Sequence, residues 1–253
     1  MTAHAPNLDA AEVDQFNKIA AEWWDPNGAF KPLHALAPAR LAFIRGVIDD
    51  HMGSSAAGDT FGSIKPLKGR TVLDVGCGGG LASEPLARLG GTVTGIDPGA
   101  ENIGVATTHA RQMGLPITYR QTTAETLAET DATFDLVVCL EVLEHVPTPG
   151  DLVATLTKLV APGGVLVLST LNRTAKSYAL AIVGAEYLLR WLEPGTHAWD
   201  KFIKPEELEG MLDAAGYAEV ARSGIVLDPM TGQWGASSDQ DVNYMMAAKA
   251  SRR

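Results

Sequence analysis

Glycine occupies positions 76, 78, 79 and 80, directly after the strand-like run VLDV at 72–75. Without side chains, backbone at a strand-to-helix turn can approach a ligand closely, and the ligand class this implies is nucleotide-like. The dinucleotide fingerprint G-x-G-x-x-G needs a further glycine at position 81, where Leu81 stands, so the pyrophosphate-cradling version fails on its last element. Asp74, two residues before Gly76, suits a ligand with a cationic amino-acid end, because a carboxylate can fix an ammonium group directly or through water. Asp97 closes the next apolar run about 20 residues after the loop, where an acid can accept both hydroxyls of a ribose. The alternative for Asp97 taken alone is a helix N-cap, the weaker of the two readings.

A second cluster, Glu141, Glu144 and His145, follows the apolar run Phe134–Leu140. If a helix starts there, the i, i+3 and i+4 spacing puts all three side chains on one face. Two chemistries are open. Two carboxylates and an imidazole can hold a hard divalent cation such as Mg²⁺, or Zn²⁺. Alternatively the acids favour a helix N-terminus, and His145 caps or acts as a lone base.

The elements that must position these residues follow from periodicity. From Arg70 onward short apolar runs alternate with helical patterns, the signature of βαβ units and a parallel sheet, hence an α/β fold. Strands are predicted at Thr71–Val75, Thr92–Ile96, Ile117–Gln121, Phe134–Leu140, Val165–Thr170, Glu219–Leu227 and Asn243–Lys249. That makes seven strands, mostly parallel, with an antiparallel hairpin at one edge, since no helical pattern separates the last two. Helices are expected to begin near Gly80, Ala100, Asp151 and Pro205. Ahead of the sheet, Asp9–Trp24 and Pro38–Asp50 read as helices, and Gly53–Ser63 as a Gly- and Ser-rich surface insertion.

The organisation expected is one domain over 1–253. It comprises a helical cap with the insertion (1–69), a ligand-binding core (70–170), a lid insertion after the fifth strand (171–204), and a closing helix with edge strands (205–253). An apolar fraction of 46% in 253 residues suffices for a sizeable core. The net charge of -10 argues against nucleic acid as a partner, because phosphate backbones are drawn to clustered Lys and Arg. The two cysteines, Cys77 and Cys139, fall at the ends of buried strands and read as reduced thiols of a cytoplasmic protein. No basic stretch followed by an apolar one opens the chain, and no run of about 18 apolar residues occurs. Ser177–Trp191 is strongly apolar but too short and interrupted to span a bilayer. It reads either as a helix lying at a membrane interface or as a buried lid helix.

The glycine-loop string VLDVGCGGG and the string GIDP at 95–98 resemble the first two motifs of the class I S-adenosylmethionine methyltransferases, which are Rossmann-like. Thr123-Ala124-Glu125 resembles that family's adenine-contacting turn, and FDLVVCLEV with LVAPGG resembles its fourth strand and the turn after the next helix. Further strings narrow the match: Trp23-Trp24-Asp25, FKPLH (30–34), PARL (38–41), EVLEHVP (141–147), STLNR (169–173), VGAEY (183–187), Gly195-Thr196-His197, KFIKP (201–205) and DVNYM (241–245). Together they resemble the ubiquinone biosynthesis O-methyltransferases over nearly the whole chain.

The resemblance implies methyl transfer from S-adenosylmethionine to a hydroxyl of polyprenylated catechol- and quinol-type rings. It puts cofactor contacts at Arg40, Gly76, Asp97 and Leu140, beside Asp74, Gly78, Ala124 and Glu125 from the motifs. Glu141, Glu144 and His145 are then the divalent-cation ligands, with His145 and Glu141 handling the phenolic proton. It also implies peripheral membrane attachment through about Ser177–Trp191, and other ubiquinone biosynthesis proteins as further partners. The alternatives are O-methylation of another small aromatic acceptor, a non-catalytic S-adenosylmethionine-binding subunit, or a nicotinamide dehydrogenase, which Leu81 and Asp74 oppose.

Overall fold

A computed structural model describes residues 7–53, 63–179 and 199–251. Its strands are β1 (Thr71–Val75), β2 (Thr92–Asp97), β3 (Thr118–Gln121), β4 (Phe134–Leu140), β5 (Val160–Leu171), β6 (Tyr217–Leu227), β7 (Trp234–Ser237) and β8 (Asn243–Ala250). Its α-helices are α1 (Ala10–Lys18), α2 (Lys31–His51), α3 (Ser83–Arg88), α4 (Ala100–Gln112), α5 (Ala124–Ala128), α6 (Pro149–Leu159), α7 (Ala175–Ser177) and α8 (Pro205–Ala214).

The strands form one sheet in the order β3-β2-β1-β4-β5-β8-β6-β7. β1 to β5 pair in parallel, and β8 lies antiparallel between β5 and β6. The chain winds outward from β1 through β3, then resumes on the other side at β4. The switch point between β1 and β4 is where open α/β sheets bind ligands, just beyond the carboxyl ends of the strands. The loops carrying Gly76 and Glu141 both leave the sheet there.

The core explains why these strands read as apolar runs. Val165 and Val167 pack on one face of the sheet with Ile44, Val47 and Ile48 of α2. Leu166 and Leu168 pack on the other with Leu152 and Leu156 of α6 and Leu208 of α8. Both faces of the central strands are buried, so alternation disappears from their sequence. A slip of one residue would still exchange the two face sets, which pins the register. The two cysteines are buried and unpaired.

The sheet has eight strands among the described residues, where the sequence suggested seven. The addition, β7, pairs Trp234–Ser237 against Gly224–Leu227 as an outer edge. The run WGAS has little intrinsic strand preference and is held by its partner and by the turn at Asp228–Gln233, where Asp228 accepts from the Gly232 N–H at 2.8 Å. The helices differ at their ends. α1 is capped by Asp9 and stops at Lys18, and a 3₁₀ turn over Ala20–Glu22 replaces the expected continuation to Trp24. α2 starts at Lys31, with Pro32 in its first turn, and runs through Pro38, which looked like its beginning. Proline is at home in a first helical turn; inside the helix Pro38 forfeits its hydrogen bond to His34 and its ring crowds that carbonyl, a cost of about 3 kcal/mol that the packing of α2 on the sheet outweighs. After the glycine loop α3 starts at Ser83 rather than near Gly80, and α6 starts at Pro149 rather than Asp151.

Candidate active site

Four parallel strands deliver the expected ligand residues to one edge. Gly76 follows β1, Asp97 closes β2, Ala124 and Glu125 follow β3, and Leu140 closes β4. Thr123 caps α5, its Oγ1 accepting from the Thr126 N–H at 3.3 Å, so the expected turn is the first turn of a short helix. Ala124 is buried, and Oε1 of Glu125 is buried without a hydrogen-bond partner.

The glycine loop is shaped by this chain as much as by any ligand. Gly76 and Gly78 sit at φ +68° and +50°, a region L side chains rarely adopt. A Cβ at Gly76 would collide with the Val142 side chain, and one at Gly78 with the Trp23 ring. The sequence offered ligand approach as the reason for glycine; packing against Val142 and Trp23 is a second one.

Asp97 is tied into this packing. Its Oδ2 accepts from the Gly78 N–H at 3.0 Å, and its Oδ1 from the Gly99 N–H at 2.8 Å and from Asn102 Nδ2 at 3.1 Å. Asn102 in turn accepts from Trp23 Nε1 at 2.8 Å, and the Trp23 ring stacks on Phe30 with centroids 3.6 Å apart. Gly99, not Asp97, stands at the N-cap of α4. Burial pushes the Asp97 carboxyl above its ordinary range despite these bonds. Asp74 is buried and accepts from Ser83 Oγ at 2.6 Å. Burial raises it to about 7 against that hydrogen bond, with the nearby Asp97 charge adding to the rise.

The loop after β4 departs from expectation. Glu141 has φ +54°, and the short 3₁₀ turn Leu143–His145 follows, so no helix face is shared by Glu141, Glu144 and His145. Each side chain turns to a different neighbour. Glu141 Oε1 lies 2.9 Å from Arg40 Nη2 and accepts from Ser169 Oγ at 2.7 Å. Glu144 accepts from Thr170 Oγ1 at 2.9 Å, while its Oε1 is buried with no hydrogen-bond partner. Burial, then the Glu141 charge, pushes Glu144 up to about 7. His145 Nδ1 lies 3.1 Å from Glu12 Oε2 on α1. Burial alone would lower the His145 pKa, but the Glu12 bond and the charges of Glu144, Glu12 and Glu141 outweigh it and raise it. Among the described residues no three His, Cys, Asp or Glu side chains converge on a point that could hold a metal ion.

Arg40, on α2, is buried, and its Nε has no hydrogen-bond partner. Sequence reasoning missed Glu12, Trp23, Asn102, Ser169 and Thr170. Trp23 was visible only within the first helical segment and as part of the string Trp23-Trp24-Asp25, with no role attached. Glu12 meets His145 across 133 positions, a separation that local spacing does not encode. Of the apolar segment Ser177–Trp191, Ser177 is buried and Tyr178 is 49% exposed; residues 180–198 lie outside the described residues. No helix among the described residues is long and apolar enough to cross a membrane.

Comparison with known proteins agrees with this architecture. A family profile described as Methyltransferase domain matches residues 55–221. The fold is similar to that of magnesium protoporphyrin IX methyltransferase from Synechocystis PCC 6803 with bound SAM (TM-score 0.63, 18% identity, 99% of this chain and 100% of that chain). It is also similar to Burkholderia thailandensis 1,6-didemethyltoxoflavin-N1-methyltransferase (TM-score 0.59, 18% identity, 100% of this chain and 93% of that chain). The fold and the sheet-edge site thus define a Rossmann-like methyltransferase.

Much closer in sequence are two curated relatives named ubiquinone biosynthesis O-methyltransferase. The one from Azorhizobium caulinodans is 51% identical, over 98% of this chain and 96% of its own length. The one from Caulobacter vibrioides is 51% identical, over 95% of this chain and 94% of its own length. The chain belongs to the ubiquinone biosynthesis O-methyltransferase family.

Proposed function

We propose that the chain methylates a ring hydroxyl of polyprenylated catechol and quinol intermediates of ubiquinone synthesis, with S-adenosylmethionine as donor. The observation that carries the reading is the pair of buried Arg40 and half-buried Glu141 at 2.9 Å, which joins a donor-side residue to an acceptor-side one. The chain's own groups fit the donor. Arg40 offers a buried, unpartnered Nε for a bidentate contact with a carboxylate. Asp74 suits the ammonium, Asp97 the ribose hydroxyls, and the unpartnered Glu125 Oε1 an exocyclic amine, with Gly76, Gly78, Ala124 and Leu140 forming the walls.

When bound, the donor supplies a sulfonium methyl group. A phenol with a pKa near ~10 is scarcely ionised at neutral pH, so a base must take its proton as the oxygen attacks in line. His145 is the base in this reading. The methyl–sulfur bond breaks as the oxygen–methyl bond forms, the sulfur keeps the electron pair, and the proton ends on the imidazole. Glu141, held by Arg40 and Ser169, orients the hydroxyl.

A divalent ion at Glu141, Glu144 and His145 is the second reading, favoured by the buried, unpartnered Glu144 Oε1. The donors fit in kind but not in arrangement, because Glu141 faces Arg40 and His145 faces Glu12. No step is therefore routed through an ion. Added Mg²⁺ that raises the melting temperature of the wild type but not of Glu144→Gln would support the ion; no shift would count against it.

Substrate delivery from a membrane surface through Ser177–Trp191 belongs to the same reading, as does a single catalytic domain over 1–253. Attachment would be tested by vesicle flotation of wild type against a variant with Leu188, Leu189 and Trp191 changed to serine. Incubating the pure protein with labelled S-adenosylmethionine and a demethylubiquinol analogue, with and without chelator, tests the reaction directly. Absence of label in the quinol fraction would refute it.

A further inference from the structure

We infer that Glu12 is a positioning residue for His145: it accepts the Nδ1–H hydrogen bond and so makes Nε2 the acceptor nitrogen of the ring. This rests on the reading of His145 as the base. The geometry that carries it comes from one helix face. Glu12 Oε2 lies 3.1 Å from His145 Nδ1. Phe16, one helical turn further along α1, meets the imidazole edge-on, with centroids 5.3 Å apart at 89°. Carboxylate and ring stand at i and i+4, the spacing that aligns side chains on a helix, so α1 grips the imidazole at two points.

Glu12 is itself fixed from the other side, because Lys201 Nζ donates to its Oε1 at 3.0 Å and lies 3.7 Å from Asp9. With Oε1 engaged by Lys201, Oε2 is aimed at the imidazole. An ionised carboxylate only accepts hydrogen bonds, so the nitrogen facing it must carry a proton. In the neutral ring that proton sits on Nδ1, and the lone pair belongs to Nε2. A histidine whose tautomer is free to exchange would present the wrong nitrogen part of the time. Outer-shell carboxylates removed from a metal-ligating histidine typically cost about 10- to 100-fold in affinity or activity, and a comparable loss is expected for a histidine whose basic nitrogen is set in the same way.

The experiment uses full-length protein labelled with ¹⁵N-histidine, in wild type, Glu12→Ala, Glu12→Gln and Lys201→Met. Long-range ¹H–¹⁵N correlation reads the His145 tautomer, and steady-state kinetics with S-adenosylmethionine and a demethylubiquinol analogue reads kcat and KM. Wild type should show the Nδ1–H tautomer, whereas Glu12→Gln, with one oxygen for the two donors Lys201 and the imidazole, should hold it less firmly. Glu12→Ala should lose it and lose about 10- to 100-fold in kcat with KM for the donor unchanged. Lys201→Met should keep the tautomer. A fixed tautomer and full kcat in Glu12→Ala would overturn the inference. If the wild type transfers no methyl group, the kinetic reading of His145 fails, while the tautomer measurement still decides whether Glu12 positions the ring.

Discussion

Arg40 and Glu141 meet at 2.9 Å between α2 and the loop that leaves β4, with side-chain exposures of 10% and 17%. The residue proposed for the donor's carboxylate thus has one guanidinium nitrogen, Nη2, held by Glu141, while its Nε has no hydrogen-bond partner. In the proposed site, a donor carboxylate reaching Arg40 would share the guanidinium with Glu141. On that proposal, the donor and acceptor halves would be coupled through one side chain.

The coupling gives opposite signs for two variants. Arg40→Ala should weaken S-adenosylmethionine binding and also destabilise the protein by about 3 kcal/mol, because it leaves Glu141 largely buried without its cation. Glu141→Gln should tighten donor binding several-fold by releasing Arg40, while lowering kcat. Calorimetric titration of both variants measures the contrast; weaker binding in Glu141→Gln would contradict it.

Donor affinity should depend on pH through Asp74. Its folded-state pKa is raised from 3.8 to about 7, so at pH 6 most of it carries a proton that an incoming ammonium must displace. Affinity should therefore rise as pH increases through 7 and level off above it, and Asp74→Asn should be weaker and flat across that range. The sign for stability is the reverse. A carboxyl raised on folding loses its relative contribution as pH climbs from about 4 to 7, so ligand-free wild type should lose more stability over that range than Asp74→Asn. Thermal melts at several pH values check this.

Gly78→Ala should be costly twice. The new Cβ collides with Trp23, and φ +50° is strained for alanine. Together these should cost about 2–4 kcal/mol. Trp23→Phe keeps most of the packing on Phe30 but removes the indole N–H that Asn102 accepts. It should cost about 1 kcal/mol and weaken donor binding only modestly. Chemical denaturation with donor titration separates the two.

The sequence carried the sheet because both faces of β1, β4 and β5 are buried, which leaves continuous apolar runs with glycine or proline between them. The places of Gly76, Asp97 and Leu140 were legible for the same reason, since each stands at the end of a buried strand. β7 escaped because WGAS is held by pairing with β6 rather than by its own composition. The acceptor half was read less well. Spacing of Glu141, Glu144 and His145 assumed a helix that the left-handed backbone at Glu141 does not permit. Their partners Arg40, Thr170 and Glu12 come from three other elements, and contacts of that kind leave no local pattern.

The clamp of Lys201 on α1 spans 189 positions and carries a consequence for biogenesis. Chains leave the ribosome N-terminus first, so α1 emerges long before the residue that secures it. The strands from β1 to β5 are all complete before position 201 is translated. Until then α1 can be held at His145 and near the glycine loop, but the carboxylate facing the imidazole lacks its second anchor. Translation halted between β5 and Lys201 would leave β5 without β8 beside it and Glu12 without its lysine anchor.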